Sequence, residues 1–216
     1  MRFIVLIIVF CVLVNYQLKA QDSIPFTKNF RLYEGIYLSY QDFRYNWPIS
    51  KEKIITTINK EQLDFYSNLV ELNVIECTER DGSVVKVNPE NIFGYCQNNI
   101  IFINKEGNFF RIPVFGAISN FIGTVEVVNY SPGFDPFMNA PMNSTARKTQ
   151  EIRQYLFDFY SGEIAPFSLE KLEAFLKRDD AIFKEYHLLS KKKKKELATK
   201  YIRLYNEKHL VFFPKD

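Results

Sequence analysis

The chain is poor in the residues from which catalytic motifs are built. Its 216 residues include two histidines, three cysteines, one tryptophan and eight glycines. It has no zinc-binding HExxH helix, no GxSxG nucleophile elbow, no P-loop and no GxGxxG turn. His187 and His209 lack the spacing of paired metal ligands. The sequence therefore predicts neither a metal site nor another bound cofactor.

A large excess of charge of one sign is missing as well. The chain has 28 basic and 25 acidic residues, a formal net charge of +3. Its first twenty residues contribute Arg2 and Lys19 and no acid, so the remainder is almost neutral. A near-neutral protein has no global field that would draw it to nucleic acid. We expect no nucleic-acid partner.

The chain begins with an apolar run, Phe3 to Val14, behind the single charge of Arg2. A membrane-spanning helix needs about 20 apolar residues, so this run is short for an anchor. Its length suits a signal peptide, and Ala20 is the small residue that a signal peptidase requires. We expect residues 1–20 to be removed between Ala20 and Gln21, leaving an exported protein without an integral membrane span. An uncleaved N-terminal anchor is the alternative.

The pattern after the expected cleavage site is typical of an α+β fold. Short runs of β-branched and aromatic residues, separated by turn residues, predict an antiparallel β-meander core over residues 21–130. A hairpin is expected at Asp81-Gly82 and a short helix over 61–70. Residues 131–148 contain three prolines and no periodicity, which predicts a mobile loop or linker.

Residues 149–216 should add a β-hairpin and a C-terminal helical segment that packs on the core. Ser168 and Ser190 stand where helix N-caps are expected, and the Asp179-Asp180 pair begins a further helix between them, each ahead of an amphipathic run. The expected fold is thus an antiparallel β-meander core with a C-terminal helical segment.

The expected meander separates the two remaining cysteines, Cys77 and Cys96. A two-residue loop at Asp81-Gly82 would set Cys77 opposite Lys86, with Cys96 two strands further on. The two Cα atoms would then be more than about 10 Å apart, whereas a disulfide needs less than about 7 Å. The sequence favours free, buried thiols, and a disulfide stays open if the sheet curls.

The most conspicuous surface feature is a run of five lysines: Lys191, Lys192, Lys193, Lys194 and Lys195. It fits a docking surface for an acidic partner, a phosphorylated glycan or anionic lipid headgroups, or simply a solvated helix face. Lysines near a helix N-terminus oppose the helix dipole. We therefore expect nearby acids to compensate them, with Glu196 and the Asp179-Asp180 pair as candidates.

Aromatic residues are abundant, with 21 phenylalanines and 13 tyrosines. Tyr37, Tyr40, Phe43, Tyr45 and Trp47 lie close together in the sequence. Such a cluster suits stacking on sugar rings or a protein interface. The excess of phenylalanine favours the other interpretation, a phenylalanine-rich core.

Several short stretches together resemble a group of exported proteins from Bacteroidetes-type bacteria, to which no activity is attached. They are Gly35-Ile36-Tyr37 with Asp42-Phe43 and Pro48, Phe93-Gly94-Tyr95-Cys96, Phe110-Arg111-Ile112-Pro113, and the lysine run ahead of Tyr201-Ile202-Arg203. The Ala20-Gln21-Asp22 junction is similar to mature N-termini of that group. The resemblance implies the periplasm or cell envelope of a Gram-negative bacterium. Asp22-Ser23-Ile24 is similar to an O-glycosylation acceptor of such bacteria, which would place a glycan on Ser23.

Two classes of function remain. The first is a non-catalytic interaction or structural module of the envelope, with an envelope protein or glycan as partner. The second is a hydrolase or thiol-dependent enzyme whose site is assembled only in the fold, such as Cys96 with His187 or His209. A small-ligand binder is a further alternative, and it requires a cavity.

Overall fold

The computed structural model describes residues 23–79, 81–135 and 140–215. The expected signal peptide and its cleavage site between Ala20 and Gln21 lie outside these residues. The architecture is α+β, with antiparallel sheets followed by a C-terminal helical segment, as the sequence predicted.

Strands dominate the first three quarters of the chain and helices most of the last quarter. The strands are β1 Ser23–Pro25, β2 Gly35–Tyr37, β3 Ile54–Ile55, β4 Ile75–Thr78, β5 Val84–Val87, β6 Gly94–Gln97, β7 Ile100–Lys105, β8 Asn108–Ile112, β9 Ile118–Asp135, β10 Ala140–Asp158, β11 Ile164–Pro166 and β12 Phe212–Pro214. The helices are α1 Tyr40–Arg44, α2 Phe65–Val70, α3 Leu169–Leu176, α4 Asp180–His187 and α5 Lys191–Lys208.

The strands do not form one continuous meander. They pair in the orders β3-β4-β5, β2-β6-β7-β8, β11-β10-β9 and β1-β12, and every pairing is antiparallel. The last pair joins the first and last described strands, with Ser23 opposite Pro214. Strand β12 is therefore held by the N-terminal strand β1.

Two hydrophobic cores lie on opposite faces of the sheet that contains β6. Because successive residues of a strand point to opposite faces, Tyr95 belongs to one core and its neighbour Cys96 to the other. The larger core combines Cys96 and Phe43 with β9, β10 and the C-terminal helices. The smaller core packs α2 against β3 and β4 and contains Cys77.

The hairpin at Asp81-Gly82 is present, but its register differs by one residue from the predicted one. Glu79 N donates to Ser83 O, so the loop has three residues and Cys77 pairs with Val85 instead of Lys86. Partners across a hairpin share a face, and the prediction would have placed Lys86 on the core side with Cys77. The observed register leaves Lys86 exposed and packs Val85 and Val87 against the smaller core.

The prediction of a loop over 131–148 is wrong for residues 131–135 and 140–148. β9 and β10 form one long ribbon that pairs from Ile118 and Asp158 to Asp135 and Ala140, with an irregularity between Met142 and Thr145. The ladder begins in β-branched sequence that favours strands, and it continues through prolines, which edge strands tolerate. Gly123 lets the ribbon approach β8, because a Cβ there would lie 2.3 Å from the Phe110 ring.

The N-caps predicted for the C-terminal helices are confirmed. Ser168 Oγ accepts from Lys171 N, Asp179 Oδ1 accepts from Ala181 N and Ile182 N, and Ser190 Oγ accepts from Lys193 N. The short helix α1 follows β2. The helix begins with a capping box formed by Ser39 and Asp42, a sequence pattern that spans only four residues.

Candidate interaction surfaces

The five lysines of the run occupy the start of α5, but they do not share one environment. Lys191, Lys192, Lys193 and Lys195 are exposed. The side chain of Lys194 is only 14% exposed, and its Nζ lies 2.5 Å from Glu173 Oε1 on α3. Tyr186 also donates its hydroxyl to the Lys194 carbonyl at 2.9 Å. Lys194 therefore ties helices together, and the other four lysines form what we call the lysine surface.

The lysine surface lies on a positively charged part of the molecule. Residues 168–208 contain twelve basic and seven acidic residues, whereas the rest of the chain from Gln21 onward has 14 basic and 18 acidic residues. Within the described ranges, no carboxylate forms an ion pair with any of the four lysines. The surface can therefore receive an external anion without first breaking an internal ion pair.

The acids that compensate the helix are not the expected ones. At its N-terminal end, Glu173 binds both Lys194 and His187. Burial raises the pKa of Glu173, but the bonds from Lys194 and His187 outweigh that effect and hold the pKa below its usual value.

Asp179 acts at the opposite end of α5, where its Oδ2 lies 2.5 Å from Lys208 Nζ and 2.8 Å from His209 Nε2. These two bonds, together with the backbone N–H of Ile182, hold the pKa of Asp179 well below its usual range. Asp179 also caps α4, so the same carboxylate fixes the start of one helix and the end of another. Asp179 therefore holds the helical segment together, and it does not form an ion pair with any residue of the lysine surface.

Both thiols are free and fully buried, and they belong to different cores. Burial, and then the charge of Glu34, raises the pKa of Cys96 to about 12. Burial, and then Glu79, raises the pKa of Cys77 as well. A nucleophilic cysteine acts as a thiolate, so two neutral, inaccessible thiols are poor candidates for catalysis.

The histidines are engaged with carboxylates of the helical segment. His187 Nδ1 lies 3.2 Å from Glu173 Oε2, and His209 Nε2 lies 2.8 Å from Asp179 Oδ2. The bonds that the structure gives these rings therefore do not run to Cys96. Among the described residues, no three His, Cys, Asp or Glu side chains are grouped so that they could hold a metal ion.

The predicted aromatic cluster divides between the core and the surface. Tyr37 and Phe43 are buried in the larger core, and Tyr40 is half-buried with its hydroxyl donating to the Phe159 carbonyl. Tyr45 and Trp47 stack at 4.7 Å between ring centroids, and Trp47 is 39% exposed. Most of the cluster thus belongs to the hydrophobic core, as the excess of phenylalanine favoured.

An open cleft of about 430 Å³ lies beside Trp47. Leu38, Pro48 and Ile49 give it an apolar wall, and its rim carries Asp42, Glu79 and Asp81 with Lys53. Asp42 and Asp81 also accept bonds from Ser39 and Ser83 of their own turns. Sequence reasoning missed this cleft because two separated segments, 38–53 and 78–81, build it.

Ser23, the predicted glycosylation position, is exposed but lies in β1 and not in a free tail. Another feature that sequence reasoning missed is Leu188, which is 85% exposed in the turn between α4 and α5. The sequence does contain an indication of this exposure. The inward-facing residues of α4 are Ile182, Phe183 and Tyr186, and Leu188 does not continue their helical spacing.

No helix in the described ranges is both long enough and apolar enough to cross a membrane. Models of known protein families, curated proteins and solved structures give no significant match to this chain.

Proposed function

We propose that this protein is an exported, non-catalytic interaction module that docks onto a negatively charged component of a cell envelope. The observation that carries the proposal is the lysine surface, which presents four exposed cations that lack ion-pair partners among the described residues. The apolar run Phe3 to Val14 with Ala20 supports export.

The position of these lysines adds to the argument. Cations in the first turn of a helix oppose its dipole, at a cost of about 0.3–1 kcal/mol each. Glu173 compensates only Lys194, so the four exposed lysines concentrate positive potential at one end of α5. An anionic partner would relieve this repulsion, which gives binding a favourable term beyond its direct contacts.

The enzymatic alternative has less support. A thiol nucleophile would have to be Cys77 or Cys96, and burial keeps both in the neutral form. A histidine base would have to leave its carboxylate partner on the helical segment.

The test is in-cell crosslinking and fractionation of a variant in which Lys191, Lys192, Lys193 and Lys195 are all changed to Gln. Lys194 is retained because it ties α5 to α3. A matched control changes Lys28, Lys86, Lys148 and Lys215 to Gln, which removes the same charge from other exposed positions. We expect the first variant to lose its envelope partner and the control to keep it. If both variants fractionate like the unchanged protein, the lysine surface has no part in the function.

A second candidate function, binding of a small ligand, is favoured by the cleft beside Trp47. Its size and its apolar wall with a few polar groups are typical of ligand sites. Trp47 is the only tryptophan of the chain, so its fluorescence reports on the cleft directly. A saturable change in that emission across a panel of amines and sugars would support this function, and no response to any of them would count against it.

A further inference from the structure

Leu188 is the one apolar residue that the turn between α4 and α5 exposes almost completely. Its side chain is 85% exposed, while the next residue, Leu189, packs against the larger core. Ser190 then caps α5, and Lys191 begins the helix. The exposed leucine therefore stands three residues from the first residue of the lysine surface, a separation of at most about 11 Å even in an extended chain.

The geometry of the helix directs the lysines toward this turn. In an α-helix every Cα–Cβ bond tilts toward the N-terminus, so long side chains of the first turn reach back past the helix end. Lys191, Lys192 and Lys193 are separated by about 100° each around the axis, and they fan out around that end. The result is an exposed apolar residue in a turn next to a helix end that carries exposed cations, and we call this turn and helix end the α4–α5 tip.

The local charge remains positive when every nearby acid is counted. Residues 184–196 contain six lysines and two glutamates, Glu185 and Glu196. Glu170 on α3 also interacts with Lys191, and Glu173 is engaged by Lys194 and His187. The tip thus keeps a surplus of cations around Leu188.

We infer that the α4–α5 tip docks on a membrane surface that contains anionic lipids, with Leu188 entering the boundary between headgroups and acyl chains. This inference rests on the proposed function and names its anionic partner. Basic residues near an anionic bilayer and an apolar side chain that enters the bilayer each raise the affinity for the membrane, and the two contributions add. Other proteins likewise need two such signals for membrane binding.

The choice of a membrane over a soluble anion follows from Leu188. A soluble acidic glycan or protein loop would satisfy the lysines, but a lone leucine among them would gain nothing from hydrated anions. A bilayer surface offers anionic groups and an apolar layer within a few ångströms of each other. Each lysine should then raise the affinity about fivefold, and insertion of Leu188 should raise it about tenfold.

The experiment is co-sedimentation of the chain from Gln21 to Asp216 with vesicles. This chain contains every described residue and omits the apolar N-terminal run, which would bind lipid by itself. One vesicle preparation contains phosphatidylcholine and phosphatidylglycerol in equal parts, and the other contains phosphatidylcholine alone. We expect binding to the first preparation only, weakening as salt is added.

The decisive variant is Leu188→Ser, with Leu63→Ser as its matched control. Both leucines are almost fully exposed, Leu63 at 88%, so neither change should affect folding, which circular dichroism checks. We expect Leu188→Ser to weaken vesicle binding about tenfold and Leu63→Ser to leave it unchanged. Changing Lys191, Lys192, Lys193 and Lys195 to Gln should abolish binding at physiological salt.

Two results would overturn the inference. One is a failure to bind anionic vesicles at low salt, and the other is equal binding by Leu188→Ser and the unchanged chain. If the lysine surface still governs envelope association in cells while vesicles are not bound, this inference is wrong and the proposed function stands. If the lysines matter in neither experiment, both are wrong.

Discussion

The two hydrophobic cores share the sheet of β2, β6, β7 and β8, yet they differ in how many kinds of element supply them. The larger core draws on this sheet, the β9–β10 ribbon, the three C-terminal helices and the terminal strand β12. The smaller core is built from α2, a three-stranded sheet and one face of the shared sheet. Each core contains one buried cysteine, Cys96 in the larger and Cys77 in the smaller. The reactivity of each thiol can therefore report on the opening of its own core. The difference in construction predicts that the two cores contribute unequally to the stability of the protein.

The largest expected contrast comes from truncating one side chain in each core. Phe43 is fully buried and its ring contacts six others, those of Tyr37, Phe93, Phe115, Phe157, Phe159 and Phe213. We expect Phe43→Ala to lower the free energy of unfolding by about 3–5 kcal/mol and Leu69→Ala, in the smaller core, by about 2–3 kcal/mol. Denaturant titration measures both. Equal losses would show that the cores do not differ in packing.

A buried ion pair holds the helical segment to the larger core. Asp158 at the end of β10 is fully buried, and Arg178 donates to its two oxygens at 2.5 and 2.7 Å. Arg178→Met would leave that carboxylate without its cation and should cost about 2 kcal/mol, less than a fully buried pair because Arg178 is 40% exposed. The exposed pair Lys86–Glu76 is the comparison, since Lys86→Met should cost less than about 0.5 kcal/mol. Comparable losses would contradict the importance of burial.

Acid should weaken the helical segment in particular. Burial raises the pKa of Asp158, but the bonds from Arg178 and Ser161 outweigh it, so the pKa lies below its usual value. The pKa values of Glu173 and Asp179 are also below their usual values. A carboxyl with a lowered folded-state pKa stabilises the fold fully above its unfolded value, about 4, and loses that contribution as the pH falls through the folded value.

We therefore expect the free energy of unfolding to be flat near neutrality and to fall below about pH 4. Denaturant titrations at a series of pH values measure this dependence. The Asp158→Asn variant should be less stable near neutrality and should show a shallower fall. A variant with the same slope as the unchanged protein would mean that this carboxyl does not set the acid sensitivity.

The smallest expected effect concerns the two thiols. In variants that each keep one of them, Cys96→Ala and Cys77→Ala, both thiols should resist alkylation in native conditions because they are buried. In mild denaturant we expect Cys77 to react about tenfold faster than Cys96, since the smaller core should open at a lower free energy. Alkylation rates followed by mass spectrometry measure the difference. Identical rates would indicate that the two cores open as one unit.

Sequence reasoning succeeded where the signal is local. Ser168 and Ser190 were recognised as N-caps, and the Asp179-Asp180 pair as the start of a helix, because a cap needs only its own side chain and the next three residues. It was wrong about the register of the β4–β5 hairpin, where one additional loop residue shifted every partner. It was also wrong about residues 131–135 and 140–148, where pairing along the ribbon outweighed the local preference of prolines and glycine.

The candidate surface was only half predictable. The lysine run is visible in the sequence, but the separation of Lys194 from the other four depends on Glu173, about twenty residues earlier. The exposure of Leu188 depends on how α4 and α5 pack, and the cleft beside Trp47 depends on two segments that meet only in the fold. A single sequence does not show which residues that are far apart in the chain come into contact.

By itself the sequence determined where the C-terminal helices begin and that antiparallel strands precede them in an α+β fold. These properties follow from backbone hydrogen bonding and side-chain periodicity over a few residues, and both act within one element. Only the tertiary structure decided that Tyr95 and Cys96 face different cores, that Asp179 clamps the far end of α5, and that Leu188 is left exposed. Those outcomes depend on which surfaces meet, and that is settled by burial and charge pairing between residues far apart in the chain.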